Sequence, residues 1–298
     1  MASHPFRIVN VFTENHGVFT GNPLCVFEDG KDLSTEQMQA LARQFNLSET
    51  TFILPSSRAN ARVRIFTPAY EMAFAGHPTL GTAHVCRALK LGGDSLVLEM
   101  QAGLVPVRAA GDRWTLTALP ATARELDVSR ETLAAALGLD VSDIGERPMW
   151  VKAGKEQLVV PLNSTDAVRR AAPEASNMAK VRSEDGLSMA YVFALDSTAS
   201  SRSAGGGAQV RGRALARFFF PVGGAILEDP ATGSATANLG AWCSAMKRPL
   251  PVALEISQGE YAGRPSTLFL DVDRESQVFV GGDALEIGRG SISLEPRR

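Results

Sequence analysis

Apolar and polar residues alternate along Phe6–Phe12 (FRIVNVF) and along Arg62–Thr67 (RVRIFT), the spacing of strands that bury one face. A second strand, Leu24–Phe27, resumes the apolar run after Gly21-Asn22-Pro23, so a strand pair joined by a loop opens the chain. The period then changes. Met38, Leu41, Ala42 and Phe45 fall on one helical face, Ser34 caps the start, and Gln37 three residues on completes a capping box, with the helix ending near Asn46. A strand at Leu47–Pro55 carries Glu49 at its mouth. After the strand at 62–67, a helix is expected over Thr79–Leu91, stopped by Gly92-Gly93. Three short strands follow at Leu96–Met100, Leu104–Arg108 and Trp114–Leu119.

Periodicity is lost over Pro120–Asp127, which predicts a domain junction ahead of a helix at Arg130–Leu137. The second half opens with strands Met149–Ala153 and Gln157–Leu162 around Gly154-Lys155, like the paired strands that open the first half. Asp166–Ala179 reads as a helix limited by Pro173, and Ala190–Ala194 as a strand. Ser197–Gln209 is small, polar and Gly-rich, without the lysine or spacing of a P-loop, and is expected to be a mobile surface loop. Later strands are expected at Leu254–Ser257, Thr267–Val272 and Val278–Gly281, with a Gly-rich turn between the first two. The tail Ala284–Leu294 reads as a last strand crossing back to the first domain. The boundaries are therefore placed at 1–122, joined by the tail 284–298, and 123–283.

One stretch is written twice. Arg64–Ala83 (RIFTPAYEMAFAGHPTLGTA) aligns with Arg217–Ala235 (RFFFPVGGAILEDPATGSA), setting Arg64 on Arg217, His77-Pro78 on Asp229-Pro230, and Gly81-Thr82-Ala83 on Gly233-Ser234-Ala235. Each copy reads as a strand, a loop, and a helix with proline near its first turn, where the missing N–H costs nothing. Free amides and the positive dipole end make such a helix start a site for carboxylate or phosphate. The expectation is a pair of pseudo-symmetric halves whose two helix starts point at one ligand in a cleft between them.

Bulk properties narrow the ligand. The 298 residues are 45% hydrophobic and 21% charged, enough for two ordinary domains with real cores. Thirty basic against 32 acidic residues leave a formal charge of −2, so nothing marks a nucleic-acid or anionic-membrane surface, and a small molecule is the expected partner. Cys25, Cys86 and Cys243 are odd in number and lack metal spacing, which reads as buried free thiols in a reducing compartment. With no signal-peptide pattern and no long apolar run, the cytoplasm is the expected location.

Taken together, Gly21-Asn22-Pro23, Ser48-Glu49-Thr50, the GHPTLGTA run at 76–83, the DPATGSA run at 229–235 and Gln258-Gly259 with Gly263–Ser266 resemble the PhzF-like phenazine-biosynthesis family, related to diaminopimelate epimerase and proline racemase. The resemblance implies an α+β, diaminopimelate epimerase-like fold: two pseudo-symmetric domains, each a curved, mostly antiparallel sheet or barrel around a central helix, commonly in a homodimer. In the epimerase relatives a cysteine in each half moves a proton next to a carboxylate. Those two positions hold Ala75 and Thr232 here, so two-base racemisation is disfavoured.

What the family likeness leaves is Glu49 as the acid/base of an isomerisation, with His77, Asp229 and Ser234 holding substrate or relaying protons. A glutamate enclosed in an apolar cleft titrates nearer neutrality and can both take and return a proton. Asn22, the amides of Gly76, Gly81 and Gly233, and the Thr82 hydroxyl are the expected substrate-binding groups. No metal cluster or dinucleotide fingerprint is present, so no cofactor is expected. The reading is a cofactor-independent isomerase of a small carboxylate-bearing metabolite; a catalytically silent binding member of the fold is the alternative, and an epimerase or racemase the third.

Overall fold

The structure, a computed structural model, describes residues 2–196 and 211–294, so the loop expected at 197–209 lies outside the described residues. The chain forms two compact units, residues 1–117 with 281–298, and residues 118–280.

In the first unit the elements run β1 (Ala2–Val11), β2 (Asn22–Phe27), α1 (Thr35–Phe45), β3 (Glu49–Leu54), β4 (Ala61–Phe66), β5 (Glu71–Met72), α2 (Gly76–Ala88), β6 (Ser95–Met100), β7 (Gly103–Ala110) and β8 (Arg113–Thr117). β2 and β3 pair in parallel across α1, and β4 and β6 in parallel across α2; the remaining strand pairs are antiparallel. A long final strand, β17 (Val278–Leu294), pairs with both β1 and β8 and closes the ladder into an eight-stranded ring. α2 touches β1, β2, β3, β4, β6 and β8, which is the contact set of a helix inside a barrel. Its sequence fits that place: His77 through Ala83, Val85 and Cys86 are all buried, so no face is left for solvent. The capping box of α1 is present, and Met38, Leu41 and Ala42 seat the helix on Phe27, Phe52 and Phe66.

The second unit runs β9 (Thr122–Glu125), α3 (Arg130–Leu137), β10 (Met149–Ala153), β11 (Lys155–Pro161), α4 (Thr165–Arg170), α5 (Ala175–Met178), β12 (Ala190–Leu195), β13 (Gly212–Val222), β14 (Ala225–Asp229), α6 (Gly233–Ala245), β15 (Val252–Gln258) and β16 (Ser266–Val272). The ladder order β9-β10-β11-β12-β13-β15-β16 repeats that of the first unit, again with two parallel pairs, β11 with β12 and β13 with β15. α6, like α2, has 13 residues and is buried nearly all round.

Several boundaries differ from expectation. The stretch at 120–127 is not a plain linker, because Thr122–Glu125 pairs with β10 and belongs to the second unit. The helix expected at 166–179 is two short helices on either side of Pro173. The two strands expected at the C-terminus are one, since Gly281-Gly282 continues the ladder instead of breaking it. α2 starts three residues earlier than expected and ends with Lys90 in the left-handed region (φ 61°), two residues before the glycines. There the Leu91 and Lys90 amides donate to the Cys86 and Arg87 carbonyls, a Schellman closure that Lys247 (φ 53°) repeats after α6.

The internal duplication is deeper than its sequence alignment, and the alignment needs correcting. Phe66 pairs with Glu71, and Phe219 with Glu228; from each glutamate, five residues lead to the first residue of the central helix. Equivalent positions are therefore Ala75 and Thr232, Gly76 and Gly233, His77 and Ser234, Gly81 and Asn238, and Cys86 and Cys243. His77 does not match Asp229. The second hairpin is longer by four residues (eight against four between the paired Phe and Glu), and matching the two prolines by identity slid the copies past one another. Pro78 is the third residue of α2, whereas Pro230 precedes the Thr232 N-cap by two.

Candidate active site

Glu49 is the first residue of β3, and His77 the second of α2, where β3 and the helix start are both held by β2. Their side chains, 16% and 6% exposed, bring Glu49 Oε2 to 3.3 Å from His77 Nδ1. An ion pair would favour a charged imidazole, but burial pushes the His77 pKa down to about 3 and is opposed only by a hydrogen bond to the Pro23 carbonyl. Burial decides. The ring is neutral at ordinary pH, and it stands against Glu49 as a packed polar neighbour whose hydrogen bond goes to the Pro23 carbonyl. His77 Nε2 is buried with no partner among the described residues.

At the start of α2 the N-cap is Ala75, which supplies no side-chain acceptor, so the first-turn amides at Gly76 and His77 are left for another acceptor. Gly81 and Thr82 were expected to face an anion and do not. They lie in the second turn, where amides close helical hydrogen bonds. A Cβ on Gly81 would come within 2.6 Å of Leu24 and 2.8 Å of Val11, so glycine is there to let β1 and β2 close on the helix. Thr82 is fully buried with its hydroxyl 2.8 Å from that of Thr51, tying α2 to β3. Asn22 opens β2 opposite Val11 and is 1% exposed.

In the second unit, Asp229 ends β14 and accepts a 2.5 Å hydrogen bond from the hydroxyl of Thr232, the N-cap of α6. Gln258 holds both: its amide nitrogen donates to the Asp229 carbonyl (2.9 Å) and to Thr232 Oγ1 (3.0 Å), and its oxygen accepts from the Thr232 amide (3.3 Å). Because the Thr232 hydroxyl is turned to Asp229, it does not cap the helix, and the start of α6 at Gly233 is as open as that of α2. Ser234, partly exposed, accepts a 3.0 Å hydrogen bond from Gln157. The Gly-rich turn after Gln258 needs its glycine, since Gly259 (φ 84°) stands where a Cβ would lie 2.3–2.4 Å from the Arg264 and Pro230 carbonyls.

Strand register locates the counterpart of the carboxylate. Thr50 pairs with Phe66 and Cys25, and Ala190 with Phe219 and Leu158, so Glu49, just before Thr50, matches Met189, just before Ala190. Only one half carries an acid/base at this place. Neither Ala75 nor Thr232 can be a thiolate. The cysteines at equivalent positions of the two central helices are buried and pushed away from ionising by that burial, Cys86 up to about 12 and Cys243 to about 11. Gln157 and Asn238 were missed by sequence reasoning, since lone amides in strands and helices carry no pattern, and Gln258 was read only as part of the family signature, without a role. Among the described residues no group of three or more His, Cys, Asp or Glu is placed to hold a metal ion, and no helix is long and apolar enough to cross a membrane.

Residues 9–290 match the phenazine biosynthesis-like protein family. The chain belongs to that family. An uncharacterized isomerase of Pasteurella multocida is 34% identical over 98% of this chain and 95% of its own length. The trans-2,3-dihydro-3-hydroxyanthranilate isomerase of Pseudomonas aeruginosa is 33% identical over 98% of this chain and all of its own length. The crystal structure of a Bacillus anthracis phenazine biosynthesis protein of the PhzF family superposes with a TM-score of 0.84 at 25% identity, covering 99% of this chain and 100% of that one. The protein is thus an isomerase of the phenazine biosynthesis-like family with an epimerase-like fold.

Proposed function

We propose that this isomerase moves a proton from one carbon to another within a small, cyclic or unsaturated carboxylate, with Glu49 taking the proton and returning it, and without a cofactor. The observation that carries the reading is the Glu49–His77 pair beside the uncapped start of α2, set against Met189 at the matching place of the second unit. Racemisation needs two acid/base groups on opposite faces of a carbon. A single carboxylate instead suits removal from one carbon and delivery to another along a conjugated system. His77, neutral and hydrogen-bonded to the Pro23 carbonyl, stands against Glu49 and limits where its carboxylate can turn; the Gly76 amide receives developing negative charge. Asp229, Ser234 and the Gly233 amide are assigned to substrate binding.

The name of the Pseudomonas aeruginosa relative supplies a first compound to try, a ring that is unsaturated and bears a carboxylate. Glu49→Gln keeps the side chain's shape and removes its basicity. With trans-2,3-dihydro-3-hydroxyanthranilate and a panel of related cyclic carboxylates, the variant is expected to lose turnover by about 10²–10⁴-fold. Full turnover in Glu49→Gln on any compound the wild type isomerises would sink the assignment.

A further inference from the structure

Where the first unit fills the space beneath its central helix with Val11, Leu24 and Gly81, the second unit uses polar groups. Register puts Ala153 in the place of Val11, Gln157 in that of Leu24 and Asn238 in that of Gly81. Asn238 is fully buried and Gln157 is 2% exposed, a burial that costs free energy unless every polar atom is bonded. The first unit shows that the fold itself does not need them.

Their bonds form one chain. Asn238 Oδ1 accepts from the Ala153 amide at 2.7 Å, and its Nδ2 donates to the Lys155 carbonyl at 3.1 Å and to Gln157 Oε1 at 2.7 Å. Gln157 Nε2 then donates to Ser234 Oγ at 3.0 Å. The geometry follows from simple periods: Ser234 and Asn238 are four apart on one helix face, and Lys155 and Gln157 two apart on one strand face. Oxygen and nitrogen of an amide look alike, but here they are not interchangeable. A backbone N–H can only donate and a carbonyl can only accept, so Ala153 and Lys155 together set the orientation of Asn238, Asn238 sets that of Gln157, and Gln157 sets the role of Ser234.

We propose that Asn238 and Gln157 are positioning residues that hold the Ser234 oxygen as an acceptor on the protein side, so that its hydrogen is presented outward as a donor to a carboxylate or enolate oxygen of the ligand. The inference rests on the assignment of Ser234 to substrate binding, and it narrows that role to recognition of an acceptor. A ligand group that must donate at this point, an ammonium or a hydroxyl turned inward, is rejected by the same polarity.

Neutron diffraction from deuterated crystals tests the relay without any ligand. The expected result is two deuterons on Gln157 Nε2, one facing Ser234, and the Ser234 deuteron pointing away from Gln157; a Ser234 deuteron lying between the two residues overturns the proposal. Asn238→Asp replaces the donor at the head of the chain with an acceptor, which turns the Gln157 amide and draws the Ser234 deuteron inward. Gln157→Glu does the same one link later and serves if Asn238→Asp does not fold. In titrations with anthranilate, each variant is expected to bind about tenfold more weakly than wild type. Ser234→Ala is expected to bind as weakly as either, and adding it to either variant should produce little further loss. Full additivity in the double variants would mean that the amides act by charge or packing and not through Ser234. If the wild type shows the outward deuteron yet binds no anthranilate, the relay stands and the proposed substrate class falls.

Discussion

At the residue scale, the neutral state of His77 has a consequence for stability. Its folded pKa is depressed to about 3, below the 6.5 of an unperturbed imidazole, so between those values the unfolded chain binds a proton that the folded chain refuses. The stability contributed by burying His77 is complete above pH 6.5 and is lost as pH falls through that window, by up to about 1.4 kcal/mol per pH unit. Urea titrations from pH 4 to 6 should therefore show a shallower slope in His77→Asn than in wild type, by about one proton; an unchanged slope would mean the imidazole is charged in the folded protein. By the same burial, NMR of the wild type should show no His77 titration between pH 5 and 8.

At the element scale, the repeated hairpins are held by repeated clamps that differ in depth. Arg64 forks onto Glu71 through Nε and Nη2, both at 2.7 Å, over the ring of Phe66; Arg217 forks onto Glu228 at 3.1 and 2.7 Å over Phe219. Arg217 is the more buried and also donates to the Val168, Arg169 and Ala171 carbonyls. Lysine cannot reproduce the fork. Arg217→Lys is expected to cost about 3 kcal/mol in denaturant unfolding, and Arg64→Lys about 1 kcal/mol, because its partly exposed pair is screened by solvent. Equal losses would contradict the role given to depth. The helix ends make an opposite prediction: Lys90→Gly and Lys247→Gly relieve a left-handed lysine and should stabilise by about 0.5–1 kcal/mol each.

These elements also mark what the sequence makes legible. The α1 capping box, the one-face apolar period of that helix and the alternation of β1 and β4 are local signals, and they locate those elements to within a few residues. The duplication was visible in its arginines and in its glycine-rich helix starts. Its true register was not, because equivalence of Glu71 and Glu228 is set by cross-strand pairing across hairpins of unequal length. Gly81 and Thr82 looked like ligand contacts because small residues near a helix start leave room for an anion, yet here Gly81 makes room for β1 and β2, and Thr82 ties the helix to β3. Ala75 and Thr232, counted against the epimerase pattern, do fall on equivalent N-caps.

For the whole molecule, duplication followed by divergence explains the pattern of matched and unmatched residues. The matched ones build the units: arginine clamps, central helices, left-handed lysines and the paired cysteines. Because all three thiols are buried and driven toward the protonated state, native protein should resist a thiol reagent at neutral pH. Cys25 and Cys86 then report opening of the first unit and Cys243 opening of the second, so labelling rates read by mass spectrometry would show whether the two unfold together. The unmatched residues, Glu49 against Met189 and His77 against Ser234, are where the chemistry is assigned.

The measurement closest to that assignment is the fate of the transferred proton. Wild type and Glu49→Gln, each incubated with trans-2,3-dihydro-3-hydroxyanthranilate in deuterated buffer and followed by NMR, should differ in one respect. The wild type delivers a single hydrogen to the new carbon, with deuterium entering to the extent that the Glu49 carboxyl exchanges with solvent. The variant binds the compound but produces neither isomer nor exchange. Isomerisation at the wild-type rate by Glu49→Gln would contradict the account at its centre.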